Sequence, residues 1–283
     1  MAERIHSLQD IIGQYDVVLC DVWGVVHNGI DPFPLACEAL LAARRSGVTV
    51  VLITNSPRPS AGVVSQFKAI GVGEETYDRI VTSGDVTREL IASQGPKKVF
   101  LLGPERDLPL LEGLDVTRVD SEDAEIILCS GLFRDEEENP EDYRDMLAAL
   151  QARNLPMICA NPDLVVERGT KMIYCAGSLA ALYRELGGET LIAGKPFSPI
   201  YDACLAKAEV MRGAFSRDRV LAIGDGMPTD VRGAINQDLD LLYISGGIHA
   251  GEYVRDGATD EAALSAFLTR NAAAPKWWMP KLA

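Results

Sequence analysis

The stretch Asp16-Val-Val-Leu-Cys-Asp-Val-Trp-Gly24 decides how this chain is read. A short apolar run, Asp16 to Cys20, ends on an acid, Asp21, and the chain then turns at Gly24. That is a buried strand delivering a carboxylate at its carboxyl end. Working outward, Leu35 to Arg45 reads as a helix, with Pro34 before it and Gly47 after its last turn. Val48-Thr-Val-Val-Leu-Ile53 is apolar on both faces, as a strand buried in a parallel sheet requires. Ser60 reads as an N-cap. Val63, Val64, Phe67 and Ile70 follow at helical spacing, and Gly71 stops the helix. Strand, helix, strand, helix implies a parallel sheet with right-handed crossovers.

The same grammar returns late in the chain. Pro199 to Gly213 reads as a helix, Val220 to Ile223 as a strand, Thr229 to Asn236 as a short helix and Leu241 to Ile244 as a strand. Between the halves lies a second set. Val99 to Leu102, Ile126 to Cys129 and Met157 to Cys159 read as strands; Tyr143 to Arg153 and Ser178 to Leu186 read as helices. The acidic stretch Arg134 to Asp142 reads as a solvated loop. The expected architecture is α/β: a Rossmann-like parallel-sheet core, residues 1–84 and 188–283, with an inserted α/β cap domain, residues 85–187. Gly84 and Gly187-Gly188 are candidate hinges. Trp277 and Trp278 either pack against the core or meet a partner.

Composition narrows the function. The 283 residues carry 27 Lys+Arg against 41 Asp+Glu, a formal charge of -14. Such a balance argues against nucleic-acid and anionic-membrane partners, because phosphate backbones select basic surfaces. No apolar run approaches the roughly 20 residues that a bilayer needs. The start of the chain shows no cationic segment followed by an apolar run, so no signal peptide is expected. The six cysteines form no CxxC pair and read as buried thiols in a reducing cytoplasm.

Ligands of parallel α/β sheets bind beyond the carboxyl ends of the strands. Those ends carry Asp21, then Thr54-Asn55-Ser56, then Gly224-Asp225 with Thr229-Asp230, and Lys195 lies between in Gly194-Lys-Pro196. A lone strand-end Asp caps turns; the ordered set points to phosphoryl transfer. An Asp carboxylate is a competent nucleophile that splits one hard hydrolysis into two easier steps. Its approach to an anionic phosphate needs a cation, for which Mg²⁺ on oxygen ligands and a Lys ammonium are suited. Asp21 and Asp225, on neighbouring strand ends, can share that metal. The Thr54 hydroxyl and the Asn55 backbone N–H can hold phosphoryl oxygens. Asp230 either orients the metal's waters or Lys195, or is an early-turn acid favoured by the helix dipole.

These motifs, in this order, resemble the haloacid dehalogenase-like hydrolase superfamily. More narrowly the chain is similar to its class IIA branch, the sugar-phosphate, nucleotide, p-nitrophenylphosphate and pyridoxal-phosphate phosphatases. That branch inserts a large α/β cap between the Thr-Asn-Ser and Lys motifs. Ile80-Val-Thr-Ser-Gly84, Ala160-Asn-Pro-Asp163 and Gly194-Lys-Pro-Phe-Ser-Pro-Ile-Tyr201 share the likeness. The resemblance implies Asp21 as nucleophile and metal ligand, with Thr54 and Lys195 completing the catalytic set. It implies the backbone carbonyl of Trp23 and the Asp225 carboxylate as further Mg²⁺ ligands, supported by Asp230. Asn55 and Ser56 would bind substrate. Asn161 and Asp163 are either cap residues facing substrate or a simple Asn-Pro turn. The implied partner is a small phosphorylated metabolite. A monomer and a cap-mediated homodimer, as relatives form, both stay open.

One departure stands out. Phosphatases of this superfamily carry an Asp two residues after the nucleophile as general acid and base; this chain has Trp23. An indole N–H donates a hydrogen bond but shuttles no proton near neutral pH. His27 is a candidate substitute, or else a plain loop histidine. The leading expectation is therefore a Mg²⁺-dependent phosphatase. The alternative is a catalytically impaired phosphate- and Mg²⁺-binding regulatory protein on the same scaffold.

Overall fold

The computed structural model describes residues 2–168 and 171–283. The chain divides into two compact units, each described by itself: residues 1–54, 65–81 and 195–283, and residues 55–64 and 82–194.

The first unit opens with β1 (Glu3–Arg4), β2 (Val17–Asp21), α1 (Pro34–Arg45), β3 (Thr49–Thr54), α2 (Ser60–Ile70), in which the division between the units falls, and β4 (Arg79–Thr82). Pro34 starts α1, where its fixed φ and missing N–H are harmless. Ala36, Ala39, Leu40 and Ala43 then form one buried stripe. Every residue of β2 and β3 is buried. That explains their unbroken apolar character: both faces of the sheet are covered.

The second unit follows with α3 (Ser83–Ser93), β5 (Lys97–Leu102), β6 (Val116–Arg118), β7 (Ile126–Cys129), α4 (Arg144–Ala152) and β8 (Met157–Cys159). A hairpin of β9 (Val165–Arg168) and β10 (Lys171–Tyr174), then α5 (Ala176–Glu185) and β11 (Thr190–Ile192), complete it. Its five-stranded sheet has the order β11-β8-β7-β5-β6, and its pairings are parallel. Alternation divides its core. Leu102, Ile127, Cys129, Met157 and Cys159 join Leu147, Leu150, Leu179 and Tyr183 on one face. Val99, Leu101, Ile126, Leu128 and Ile158 join Ile91 and Leu110 on the other. Thr190–Ile192 pairs with β8, so this strand belongs to the second sheet although a boundary at residue 188 leaves it with the core.

The chain then returns to the first unit with α6 (Ser198–Arg212), β12 (Val220–Gly224), α7 (Arg232–Gln237) and β13 (Asp240–Ile244). A small hairpin of β14 (Val254–Arg255) and β15 (Ala258–Thr259), then α8 (Glu261–Arg270) and β16 (Trp277–Met279), end it. The seven-stranded sheet has the order β1-β16-β13-β12-β2-β3-β4. Helices α1 and α6 pack on β3. The tryptophan tail takes the packing alternative. Trp277 and Trp278 form a buried strand between β13 and β1, and the Trp277 indole N–H donates to the Tyr15 hydroxyl at 2.9 Å. Among the described residues, no helix is long and apolar enough to cross a membrane. Cys20, Cys129, Cys159, Cys175 and Cys204 are buried, and Cys37 is half-buried.

Ile127 is fully buried at the centre of the second sheet. Ile127→Ala should cost about 2–5 kcal/mol of unfolding free energy, through lost burial and a residual cavity. Urea unfolding followed by circular dichroism measures this, and a loss below about 0.5 kcal/mol would contradict a close-packed core here.

Candidate active site

β12, β2 and β3 are adjacent and parallel, so their carboxyl ends open on one edge. Cys20 pairs with Ile223 on one side and Leu52 on the other, and Asp21 pairs with Ile53. In that register Asp21, Thr54 and Asp225 leave the sheet side by side. The connections from β2 run outward to β3 and β4 on one side, while β12, β13 and β16 fill the other. This is the switch point at which doubly wound sheets form a binding crevice.

Lys195 enters the same edge and is only 2% exposed. Its Nζ donates to Asp21 Oδ1 at 2.5 Å and to Asp230 Oδ1 at 2.7 Å. Asp230 is aimed there by an unusual turn. The expected helix from Thr229 instead begins at Arg232, after a widened turn over Met227–Val231. The N–H of Val231 reaches the Gly226 carbonyl at 3.0 Å, five residues back. The Gly226 N–H donates to Asp230 Oδ2 at 3.0 Å, so Asp230 both clamps the turn and meets Lys195. Asp225 Oδ2 accepts the Ile248 N–H at 2.8 Å.

Asp21, Asp225 and Asp230 each place one carboxylate oxygen within 4.8 Å of the others. Burial pushes the Asp21 carboxyl well above its usual range, and the Asp230 charge adds to this. Burial, then Asp230, pushes Asp225 up to about 7. Burial alone would lower Lys195, but the carboxylates of Asp21 and Asp230 outweigh it and hold the ammonium charged. One buried cation therefore faces three buried acids. The excess negative charge and the all-oxygen donor set fit a hard divalent cation. The Trp23–Gly24 peptide lies beside this cluster: a Cβ on Gly24 would stand 2.6 Å from Asp225 Oδ2.

Asn55, Ser56, Asn161 and Asp163 belong to the second unit. The Asn55 amide donates to Asp163 Oδ1 at 2.8 Å, and Asn161 Oδ1 accepts the Asp163 N–H at 3.0 Å. The Asn161 turn thus positions Asp163 rather than standing alone. The Ser56 hydroxyl accepts the Arg58 N–H at 3.3 Å, and the Ser56 carbonyl accepts the Gly84 N–H at 3.1 Å. His27 is buried in the loop after β2. Its Nδ1 accepts the Gly29 N–H at 2.8 Å, and burial lowers its pKa to about 4.

Sequence reading missed Gly247 and Ile248. Gly247 packs against the Asp225 side chain with no room for a Cβ. The signal was available in Ser245-Gly-Gly247, which follows a strand beside the acid-bearing one.

A parallel core with acids and a buried lysine at its switch point defines a hydrolase architecture that comparisons with known proteins identify. Residues 18–117 match the family model described as haloacid dehalogenase-like hydrolase, and residues 192–271 match a second, HAD-hydrolase-like model. A solved hydrolase of the haloacid dehalogenase-like family from Brucella suis 1330 is 51% identical, with a TM-score of 0.87 and complete coverage of both chains. The chain belongs to the haloacid dehalogenase-like hydrolase family. It is also similar to the 4-nitrophenylphosphatase of Schizosaccharomyces pombe, at 24% identity over 87% of this chain and 90% of that one. Ribonucleotide monophosphatase NagD of Escherichia coli K-12 is 25% identical over 82% of this chain and 88% of its own length.

Lys195→Met leaves Asp21 and Asp230 buried against each other without a cation. Urea unfolding in metal-free buffer should show a loss of about 3–5 kcal/mol. A loss under about 1 kcal/mol would mean that the ammonium does not hold this edge together.

Proposed function

We propose that the chain is a Mg²⁺-dependent phosphatase of small phosphomonoesters that works through an aspartyl-phosphate on Asp21. One observation carries this reading: the Asp21 carboxylate, at a switch-point strand end, shares a buried ammonium with Asp230 and lies within one cluster with Asp225. The names of the similar phosphatases agree with it.

In the first step an Asp21 carboxylate oxygen attacks phosphorus, and the ester P–O bond breaks as the leaving group departs with the electron pair. In the second, water attacks phosphorus, inorganic phosphate leaves and the Asp21 carboxylate returns. Lys195 neutralises phosphoryl charge, while the Thr54 hydroxyl and the Asn55 N–H hold phosphoryl oxygens. Mg²⁺, held by Asp21, Asp225 and the Trp23 carbonyl with Asp230 in support, would offset the repulsion between carboxylate and phosphate. Ser56, Asn161 and Asp163 are assigned to the substrate side, and the second unit to the role of the class IIA cap, which selects the substrate. Cysteines that are mostly buried and form no CxxC pair suit a reducing compartment such as the cytoplasm.

Trp23 sets the chemistry apart. General acid help is worth about 10²–10⁴-fold and matters most for poor leaving groups. Without it the protein should favour leaving groups that depart unprotonated.

Phosphate release from a panel of phosphomonoesters tests the reading. Asp21→Asn should abolish turnover, and EDTA should suppress it reversibly; full activity in either case would sink the aspartyl-phosphate. Absence of turnover with retained Mg²⁺ and phosphate binding would favour the regulatory alternative, to which Trp23 lends weight.

Trp23→Asp should raise kcat for alkyl phosphates about tenfold or more while changing kcat for p-nitrophenyl phosphate little. Plots of rate against leaving-group pKa for both proteins read this directly. Equal slopes would remove position 23 from the proton path.

A further inference from the structure

The Trp23 indole is built into the loop that follows the nucleophile rather than left loose upon it. Trp23 forms an isolated bridge with His27 and stands two residues beyond Asp21, the last residue of β2. The rim of the indole rests on Gly29. A Cβ there would stand 2.7 Å from Cζ2 and 3.2 Å from Cζ3 of the ring. Gly29 also has φ +91°, a left-handed conformation that side chains disfavour. The His27 ring meets the indole edge-on, with centroids 5.2 Å apart and planes at 71°. On its other side His27 meets Phe67 edge-on at 5.6 Å. The Gly29 N–H on His27 Nδ1 and the Gly24 N–H on the His27 carbonyl, both at 2.8 Å, fix that ring and its main chain. Position, rim and edge of the indole are thus each specified by a different group.

We propose that His27 and Gly29 are positioning residues that seat the Trp23 indole as a fixed aromatic wall on the leaving-group side of Asp21. The site then selects phosphate esters whose leaving group presents a planar, apolar face. This rests on the phosphatase reading of Asp21. The wall replaces proton donation with contact: an aryl leaving group gains from the ring, while a small polar one gains nothing.

The test uses the full-length protein with Mg²⁺ and two substrates that both leave without a proton. One, p-nitrophenyl phosphate, carries an aromatic face; the other, acetyl phosphate, does not. Gly29→Ala, which pushes the indole off its seat, should raise KM for p-nitrophenyl phosphate by up to about tenfold, the scale of one aromatic contact. KM for acetyl phosphate and kcat for both should stay within about twofold. Equal changes on the two substrates would reduce the seat to a structural turn and overturn the proposal.

A second measurement is independent of turnover. In a double-mutant cycle of Gly29→Ala with Trp23→Ala, the glycine substitution should lower Tm about 2–4 °C more when the indole is present. If Gly29→Ala alone fails to fold, rescue by the added Trp23→Ala shows the seat; if the double variant fails too, Trp23→Ala by itself must raise KM for p-nitrophenyl phosphate and not for acetyl phosphate, and equal changes overturn the wall. Wild type inactive on both substrates, with a coupled cycle, would defeat the phosphatase reading but keep the seat. An uncoupled cycle defeats the seat whatever the activity.

Discussion

The buried Lys195 ammonium, divided between Asp21 and Asp230, is the interaction on which the carboxyl edge of the first unit depends. It draws three chain segments to one point: the end of β2, the entry at residue 195 and the turn after β12. Carboxylates out of water are tolerated only when paired and hydrogen-bonded. Each acid here is met differently. Asp21 has Lys195; Asp230 has Lys195 and the Gly226 N–H; Asp225 has the Ile248 N–H. The cluster remains short of positive charge, which is the property a divalent cation would use. Glycines make the crowding sterically feasible. Gly224 lies against Asp230, and Gly24 and Gly247 lie against Asp225, with no room for a Cβ at any of them.

Both units use parallel sheets, but burial serves them differently. In the first unit β2, β3 and β12 are buried along their whole length, and their polar side chains stand at the strand ends: Thr49 at the start of β3, and Asp21, Thr54 and Asp225 at the carboxyl ends. A polar residue at the centre of these strands would lie in an apolar layer without partners. The chemistry is therefore placed by exclusion as much as by design. In the second unit alternation divides the strands cleanly between two apolar layers, which leaves β8 to end in the Asn161–Asp163 turn that engages Asn55.

Much of this was legible in the sequence because burial on both faces leaves a plain signal. Asp16 to Asp21 and Val48 to Thr54 announce themselves as β-branched runs ending in polar residues, and the order of acids, threonine and lysine followed from reading those ends. Elements whose identity depends on distant partners were not legible. Trp277–Met279 is a strand only because β13 and β1 flank it, and Val165–Arg168 with Lys171–Tyr174 carries no clear alternation. The widened turn at Met227–Val231 accompanies the Asp230–Gly226 hydrogen bond and the Asp230–Lys195 contact, neither visible as helical propensity. The contact of Asn55 with Asp163 spans 108 positions and has no local signature.

Position 23 shows how one residue redistributes the work of a site. A carboxylic acid there would add a fourth acid near Asp21, Asp225 and Asp230, where burial and mutual repulsion already raise two carboxyls. An acid with a raised pKa is well suited to protonate a leaving group, so crowding helps an ordinary phosphatase. Trp23 gives up that function. The indole adds no charge to the cluster and loses conformational freedom through its contacts with His27 and Gly29. The next residue, Gly24, lies against the Asp225 side chain. On the phosphatase reading, metal binding and nucleophilic attack would be separable from proton transfer, because the former would use the backbone and the strand end and the latter only the side chain. A site of this kind would keep the attack on phosphorus while narrowing the leaving groups that it could release.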